Sequence, residues 1–393
     1  MKIDKKNYKH WFVLGWSLVT ISLIIVMRPF LRIKHKVSDN KIIIFYGHTL
    51  NGNLRAFFDY LKREKGFKPY FLSIDSSYLK RLERACEDSD DLLSLLKLKD
   101  LPSIARSDAF VSSHGLHFLR VLKKTTDIKF FDVWHGIPYK GFAASDFNHL
   151  HDHDQSWVSS EKLKDIYVNK FGFDAERVKI TGYGRVDQLV DGSLHDRQKL
   201  VEKYKLPARD KYVLIAPTWK QDDKGRNILP FNTEEKEFFS RVDDVARKHN
   251  AEIIFRTHLN SQEEISTDGL SNTKFMPYSK YELAEEFLAL SDVLVSDWSS
   301  ISFDYLALDR PTIFLDIKHP FKNGLSFGAE YRFGDIVGSF DELIEVLDKN
   351  LESPQAYMNR NQEKIEMTKK AAYDDTLDGK SCERYLKELN EVL

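Results

Sequence analysis

Two histidines define the chemistry open to this chain: His135 in Asp132-Val-Trp-His-Gly-Ile-Pro-Tyr-Lys140, and His258 in Phe255-Arg-Thr-His-Leu259. Each stands where an apolar, strand-like run breaks into a loop. A neutral imidazole can take a proton from an alcohol, and a protonated one can neutralise phosphate oxygens. Beside His135, Gly136 permits close backbone approach to a ligand, Pro138 stiffens the turn, and Lys140 is a candidate phosphate or acceptor contact. Arg256 and His258 alternate along an extended strand end and so share a face, pairing a fixed cation whose planar fork suits phosphate with a titratable donor. A third break, Asp297-Trp-Ser-Ser-Ile-Ser-Phe-Asp304, puts Ser299 and Ser300 at the start of a predicted helix, where hydroxyls and N–H groups converge on anions. Asp304 could receive a ribose hydroxyl or complement the helix dipole. Together these residues describe a phosphate-handling cleft. The competing readings are a histidine that holds a turn, a surface arginine and an ordinary helix cap.

Other groups carry less. His149, His151 and His153 alternate and could present three imidazoles to a metal on an extended strand, but no distant ligand or supporting residue is identifiable, so a solvated loop is expected. His48, His114 and His117 could line the cleft, and each reads more readily as structural. No Walker lysine loop and no GxGxxG fingerprint follows the first strand, which removes support for ATP hydrolysis and dinucleotide redox chemistry.

The elements that must position these residues alternate apolar runs with amphipathic stretches, the pattern of a parallel sheet covered by helices. Strands are expected over Lys41–Tyr46, Pro69–Ser73, Ala109–Ser112, Lys129–Trp134, Ser156–Ser159 and Val178–Thr181, with helices over Leu54–Lys65 and Glu161–Lys170. A polar connection over Asp191–Asp210 precedes a second series. Its strands are Tyr212–Ala216, Glu252–Arg256, Val293–Ser296 and Thr312–Leu315, and its helices Glu234–His249 and Tyr281–Leu290. The expected class is α/β, with a membrane anchor and basic tether over 1–40 and two Rossmann-type, doubly wound units over 41–205 and 206–393. The last of the C-terminal helices is expected to pack back across the first unit.

The 393 residues are enough for two cores, and 59 basic against 60 acidic side chains give no field favouring nucleic acid. Cys86 and Cys382, without a CxxC spacing, exclude a disulfide framework and suit a reducing compartment. Trp11–Met27 is a 17-residue run without a charge, flanked by lysines and arginines. It is at the short end for a span, so a transmembrane helix is expected, with a helix lying in the interface as the alternative.

Six ordered motifs resemble the CDP-glycerol glycerophosphotransferases of teichoic acid and related capsule synthesis. They are Gly52-Asn-Leu-Arg-Ala56, Trp134-His-Gly-Ile-Pro-Tyr-Lys140, Gly182-Tyr-Gly-Arg-Val-Asp187, Ala216-Pro-Thr-Trp-Lys220, Arg256-Thr-His258 and the run from Ser291 to Asp304. The resemblance covers about Lys41 to Gly338. It implies a GT-B architecture, with donor bound mainly by the C-terminal domain, acceptor by the N-terminal one, and reaction in the cleft between them. It further implies that His135 is the general base and His258 its partner at the donor pyrophosphate. Trp134, Gly136, Ile137, Pro138, Arg185, Arg256, Thr257, Met276, Pro277, Tyr278, Ser299, Ser300 and Asp304 match positions that contact the CDP donor, the Met276 turn recognising cytosine through backbone groups. The chain departs from the family where Thr257 and Gly184 replace Pro, Ile137 and Tyr139 replace Thr and Leu, and Trp298 replaces Tyr. Ile137 and Tyr139 alter the wall beside His135, which leaves the transferred polyol and the acceptor open.

The implied reaction is attack by an acceptor hydroxyl on the β-phosphorus of a CDP-polyol, most simply CDP-glycerol, with release of CMP. No cofactor and no metal is required by these residues. The implied partners are the CDP-polyol, a lipid-linked glycan and the membrane, with the catalytic domains on the cytoplasmic side. Without a large additional N-terminal region, a primase-like role stands beside a polymerase one. The alternatives are a UDP-sugar glycosyltransferase or epimerase on the same architecture, and an inactive membrane scaffold.

Overall fold

Two parallel sheets carry the chain, as seen in a computed structural model that describes residues 8–35, 40–84, 89–116, 119–218, 220–222, 225–227, 229–257, 269–319, 321 and 323–393. The first sheet comprises β1 (Lys41–Tyr46), β2 (Phe67–Leu72), β3 (Leu92–Leu93), β4 (Ala109–Ser112), β5 (Lys129–Asp132), β6 (Gln155–Val158) and β7 (Val178–Ile180). Their order is β3-β2-β1-β4-β5-β6-β7, all parallel. The second comprises β8 (Lys211–Ala216), β11 (Ala251–Phe255), β12 (Thr273–Phe275), β13 (Val293–Ser296), β14 (Thr312–Leu315) and β15 (Asp335–Val337), in the order β12-β11-β8-β13-β14-β15. A hairpin of β9 (Lys220–Asp222) and β10 (Gly225–Asn227) stands apart.

Strands covered on both faces are apolar throughout, which is why they read as continuous runs. Along β1, Ile43 and Phe45 enter one core with Phe57, Phe58 and Trp157, while Ile42, Ile44 and Tyr46 enter the opposite one. In β8, Val213 and Ile215 likewise face away from Tyr212 and Leu214. The C-terminal helices are Phe340–Glu352, Pro354–Tyr373 and Ser381–Val392. The last returns to the first sheet, where Tyr385 stacks on Trp157 at 4.7 Å. Asp187 caps that helix, accepting from the N–H groups of Ser381 (3.0 Å) and Cys382 (2.8 Å). Gly184 answers the same packing, since a Cβ there would come 2.7 Å from Cys382 Sγ.

Helix α1 (Tyr8–His35) lies along the first unit instead of projecting from it. Ser17, Ile21, Ile24 and Arg28 are buried, whereas Phe12, Val19, Leu23, Val26 and Phe30 are exposed. Each set recurs at helical spacing on its own face. Arg28 Nη1 donates to the carbonyls of Ala105 and Ser107, both at 2.8 Å, and its Nε donates to Asp127. Arg32 reaches Asp108 at 2.6 Å. The helix therefore docks through Ile21 and Ile24 with Arg28 buried beside them, and still leaves a second apolar face outward.

Candidate active site

The turn after β5 holds His135. Trp134 takes a left-handed φ of 46° and Gly136 a φ of 122°. A Cβ on Gly136 would lie 2.5 Å from Arg185 Nη2, so glycine is needed for space as well as for conformation. Asn53, at the start of the helix Gly52–Leu61, fastens this turn: its Nδ2 donates to the carbonyls of Val133 (2.9 Å) and Trp134 (3.3 Å). Its Oδ1 accepts from the N–H of Arg185 at 3.1 Å. From the sequence alone Asn53 belongs to a motif and has no assigned role. A short polar residue just after the first strand was the available signal.

His135 Nδ1 faces the carbonyl of Ser113 at 3.1 Å. A carbonyl can only accept, so Nδ1 carries the proton and Nε2 is left as the proton acceptor. Solvent reaches His135 on its open side. Even so, surrounding protein disfavours the imidazolium and pushes the pKa down to about 4; the Ser113 carbonyl opposes this and the Arg185 charge adds to it. With water still reaching the ring, the firm consequence is a neutral imidazole at pH 7.

Arg185, in the helix Gly184–Val190, joins this turn to the other half of the molecule. Its Nη1 donates to the His135 carbonyl at 3.0 Å, and Nε and Nη2 grip the two oxygens of Asp304. Burial works against both charges. The Asp304 carboxylate nevertheless holds the Arg185 pKa above its ordinary value, while burial, offset by Arg185, raises Asp304 to about 6. The bidentate geometry and an Asp304 pKa still below 7 make the two an ion pair at neutral pH. Asp304 is thus engaged by Arg185, which sequence reasoning had not paired with it.

On the second sheet, Arg256 is buried at the end of β11 beneath the rings of Tyr278 (5.4 Å) and Phe287 (4.9 Å). Burial pushes its pKa down to about 10. Its Nη2 has no hydrogen-bond partner among the described residues, leaving a donor for an anion. Thr257 and Met276 are buried beside it, and Pro277 and Tyr278 are half-buried; the Tyr278 hydroxyl accepts from Asn51 of the other half. Ser299 and Ser300 are half-buried before the helix Ile301–Tyr305, and neither hydroxyl makes a firm cap. Asp297, unassigned from sequence, ties this loop to the one after β8, accepting from the Thr218 N–H (3.0 and 2.9 Å) and hydroxyl (2.7 Å). His258 and Trp219 lie outside the described residues.

Ile137 and Tyr139 are both buried, Tyr139 against Trp298 (5.6 Å) and Phe303 (5.0 Å). Pro138 is buried with them, and Lys140 is exposed, its ammonium over Phe142. The histidine-rich loop is not simply solvated. His153 is buried, His151 Nε2 meets the Phe171 carbonyl at 2.9 Å, and His149 packs on Gly115, so the three rings take different surroundings.

Two parallel sheets joined across their loops by Arg185 with Asp304 and by Asn51 with Tyr278 define a GT-B-like α/β protein. Its fold matches that of the wall teichoic acid polymerase TagF, with a TM-score of 0.73 at 19% identity over 97% of each chain. The chain belongs to the CDP-glycerol:poly(glycerophosphate) glycerophosphotransferase family, which it matches over residues 28–390. It is 24% identical over 390 residues to the teichoic acid ribitol-phosphate polymerase TarK of Staphylococcus aureus (strain NCTC 8325 / PS 47), covering 90% of this chain and 69% of that protein. To a teichoic acid poly(glycerol phosphate) polymerase of Bacillus subtilis (strain 168) it is 23% identical over 340 residues, covering 79% of this chain but only 43% of the relative.

Proposed function

We propose that this protein transfers a polyol phosphate, glycerol phosphate foremost, from a CDP-activated donor to a hydroxyl of a lipid-linked or growing teichoic-type polymer. The observation that carries the reading is His135 with its Nδ1 proton on the Ser113 carbonyl, which frees Nε2 to act as a base. The acceptor hydroxyl gives its proton to Nε2 as its oxygen bonds the β-phosphorus. The bond from that phosphorus to the bridging oxygen breaks, and its electron pair leaves on CMP. Arg256, whose Nη2 has no partner among the described residues, is suited to the pyrophosphate charge that grows during this step. His258, two residues further on, would add a second donor there.

The acceptor reading agrees with α1, whose segment Trp11–Arg32 is long and apolar enough to enter a membrane. We place this helix in the membrane interface with its outward apolar face in lipid and the catalytic units in the cytoplasm, where a nucleotide donor is available. Donor identity tests the reading. Purified protein is incubated with CDP-glycerol, CDP-ribitol or UDP-sugars and a lipid-linked acceptor, and the released nucleotide is identified. CMP is expected, and UDP would sink the phosphotransferase assignment.

A further inference from the structure

A second imidazole stands at the same strand end. His114, in the loop after β4, lies face to face with His135: the ring centroids are 4.4 Å apart and the planes differ by 3°. Trp134 packs on His135 as well, at 4.1 Å and 35°. Ser113 serves both histidines, its carbonyl facing His135 Nδ1 and its hydroxyl lying 2.9 Å from His114 Nδ1. Gly115 follows with a φ of 76°, and a Cβ there would come 2.3 Å from His149. The chain thus turns away directly after presenting the His114 ring.

We propose that His114 is a positioning residue for the transfer: it fixes the plane of His135 and, as a neutral ring, stabilises the imidazolium that forms when His135 takes the acceptor's proton. This rests on His135 being the base, as read above. His114 itself neither gains nor loses a proton in the step. A cation over an aromatic face within about 6 Å is attracted by the ring's electrons, more strongly where water is sparse, and a stacked ring also removes the torsional freedom that would swing Nε2 off line. Two charged rings at this separation would repel, so the neutral form of His114 is the one that helps. Among the described residues the charge acting on His135 is Arg185, which opposes a second cation and is itself offset by its pairing with Asp304.

His114→Leu keeps bulk over His135 without a π face, and His114→Phe restores the face without a titrating nitrogen. The readouts are the pH profile of CMP release and an NMR titration of the His135 ring in the full-length protein. His114→Leu is expected to lower kcat about tenfold, to leave KM for the CDP-polyol within about twofold, and to move the acidic limb and the His135 midpoint downward. His114→Phe is expected to recover most of the rate and the midpoint. A Leu variant with wild-type kcat and midpoint would overturn the proposal, as would a Phe variant as impaired as Leu. Absence of CMP release by the wild type would instead strike the transfer reading, and the His135 midpoints would still decide whether the stack stabilises the imidazolium.

Discussion

Arg185, in the helix Gly184–Val190 and bonded to the His135 carbonyl, forms a bidentate ion pair with Asp304 in the helix that follows Ser299 and Ser300. Their side chains are only 12% and 4% exposed. Removing one partner strands the other charge in a site that water cannot solvate. Asp304→Ala is expected to destabilise the protein by about 3–5 kcal/mol, measured by urea unfolding. Adding Arg185→Ala to it should recover part of that loss. An additive double variant would mean that the two charges are not coupled.

His135 is neutral at pH 7 because the protein packed around the ring disfavours its charged form even though its open side meets solvent. A base must be unprotonated to act, so activity is lost only as pH falls through its folded pKa. The acidic limb of kcat/KM is therefore expected below the ordinary histidine value of about 6.5. A limb at or above that value would contradict the environment described for the ring.

The two faces of α1 predict two different phenotypes. Replacing Val26 and Phe30 with serine should abolish co-sedimentation with anionic vesicles while leaving thermal unfolding unchanged, because both side chains face outward. Ile21→Ala and Ile24→Ala, on the docked face, should each cost about 2–4 kcal/mol. Unaltered vesicle binding by the outward-face variant would remove the interfacial role of the helix.

His153 is buried, and its pKa is pushed down to about 3, first by burial and then by the neighbouring His149. Its folded pKa lies below its unfolded one, so its contribution to stability is complete above pH 6.5 and is lost as pH falls from there toward 3. His153→Leu should therefore be less acid-sensitive. Between pH 7 and pH 5 the wild type is expected to lose about 2 kcal/mol more than the variant. Parallel unfolding curves at both pH values would exclude this.

Tyr139 and Trp298, read from the resemblance as departures, touch across the two halves. Their rings fill one space together, so Tyr139→Leu and Trp298→Tyr should be non-additive. A double-mutant cycle on unfolding free energy is expected to give a coupling of about 1 kcal/mol. A coupling near zero would make the two departures independent.

The strands were legible where both faces are buried: Lys41–Tyr46, Ala109–Ser112, Val293–Ser296 and Thr312–Leu315 fold over the ranges their apolar runs predict. Leu92–Leu93, Thr273–Phe275 and Asp335–Val337 were missed because two or three residues carry no period. The site was legible as residue types at strand ends, His135 and Arg256 above all. Its connections were not, since the bonds from Asn53 to the Trp134 turn, from Arg185 to Asp304 and from Asp297 to Thr218 each join residues more than 75 positions apart. Local spacing holds no trace of them. The docking of α1 was hidden for a similar reason: Arg28 reads as one of the basic residues flanking an apolar run until the carbonyls and the carboxylate that it faces are known.

Release of CMP by His135→Asn, compared with the wild type under saturating CDP-glycerol and lipid-linked acceptor, tests the proposed base directly. Asparagine keeps a polar side chain near the Ser113 carbonyl but cannot accept the proton at neutral pH. The expected result is a fall in kcat of about 10²–10⁴-fold, with donor binding by calorimetry nearly unchanged. Turnover equal to the wild type would contradict the assignment of His135 as the base.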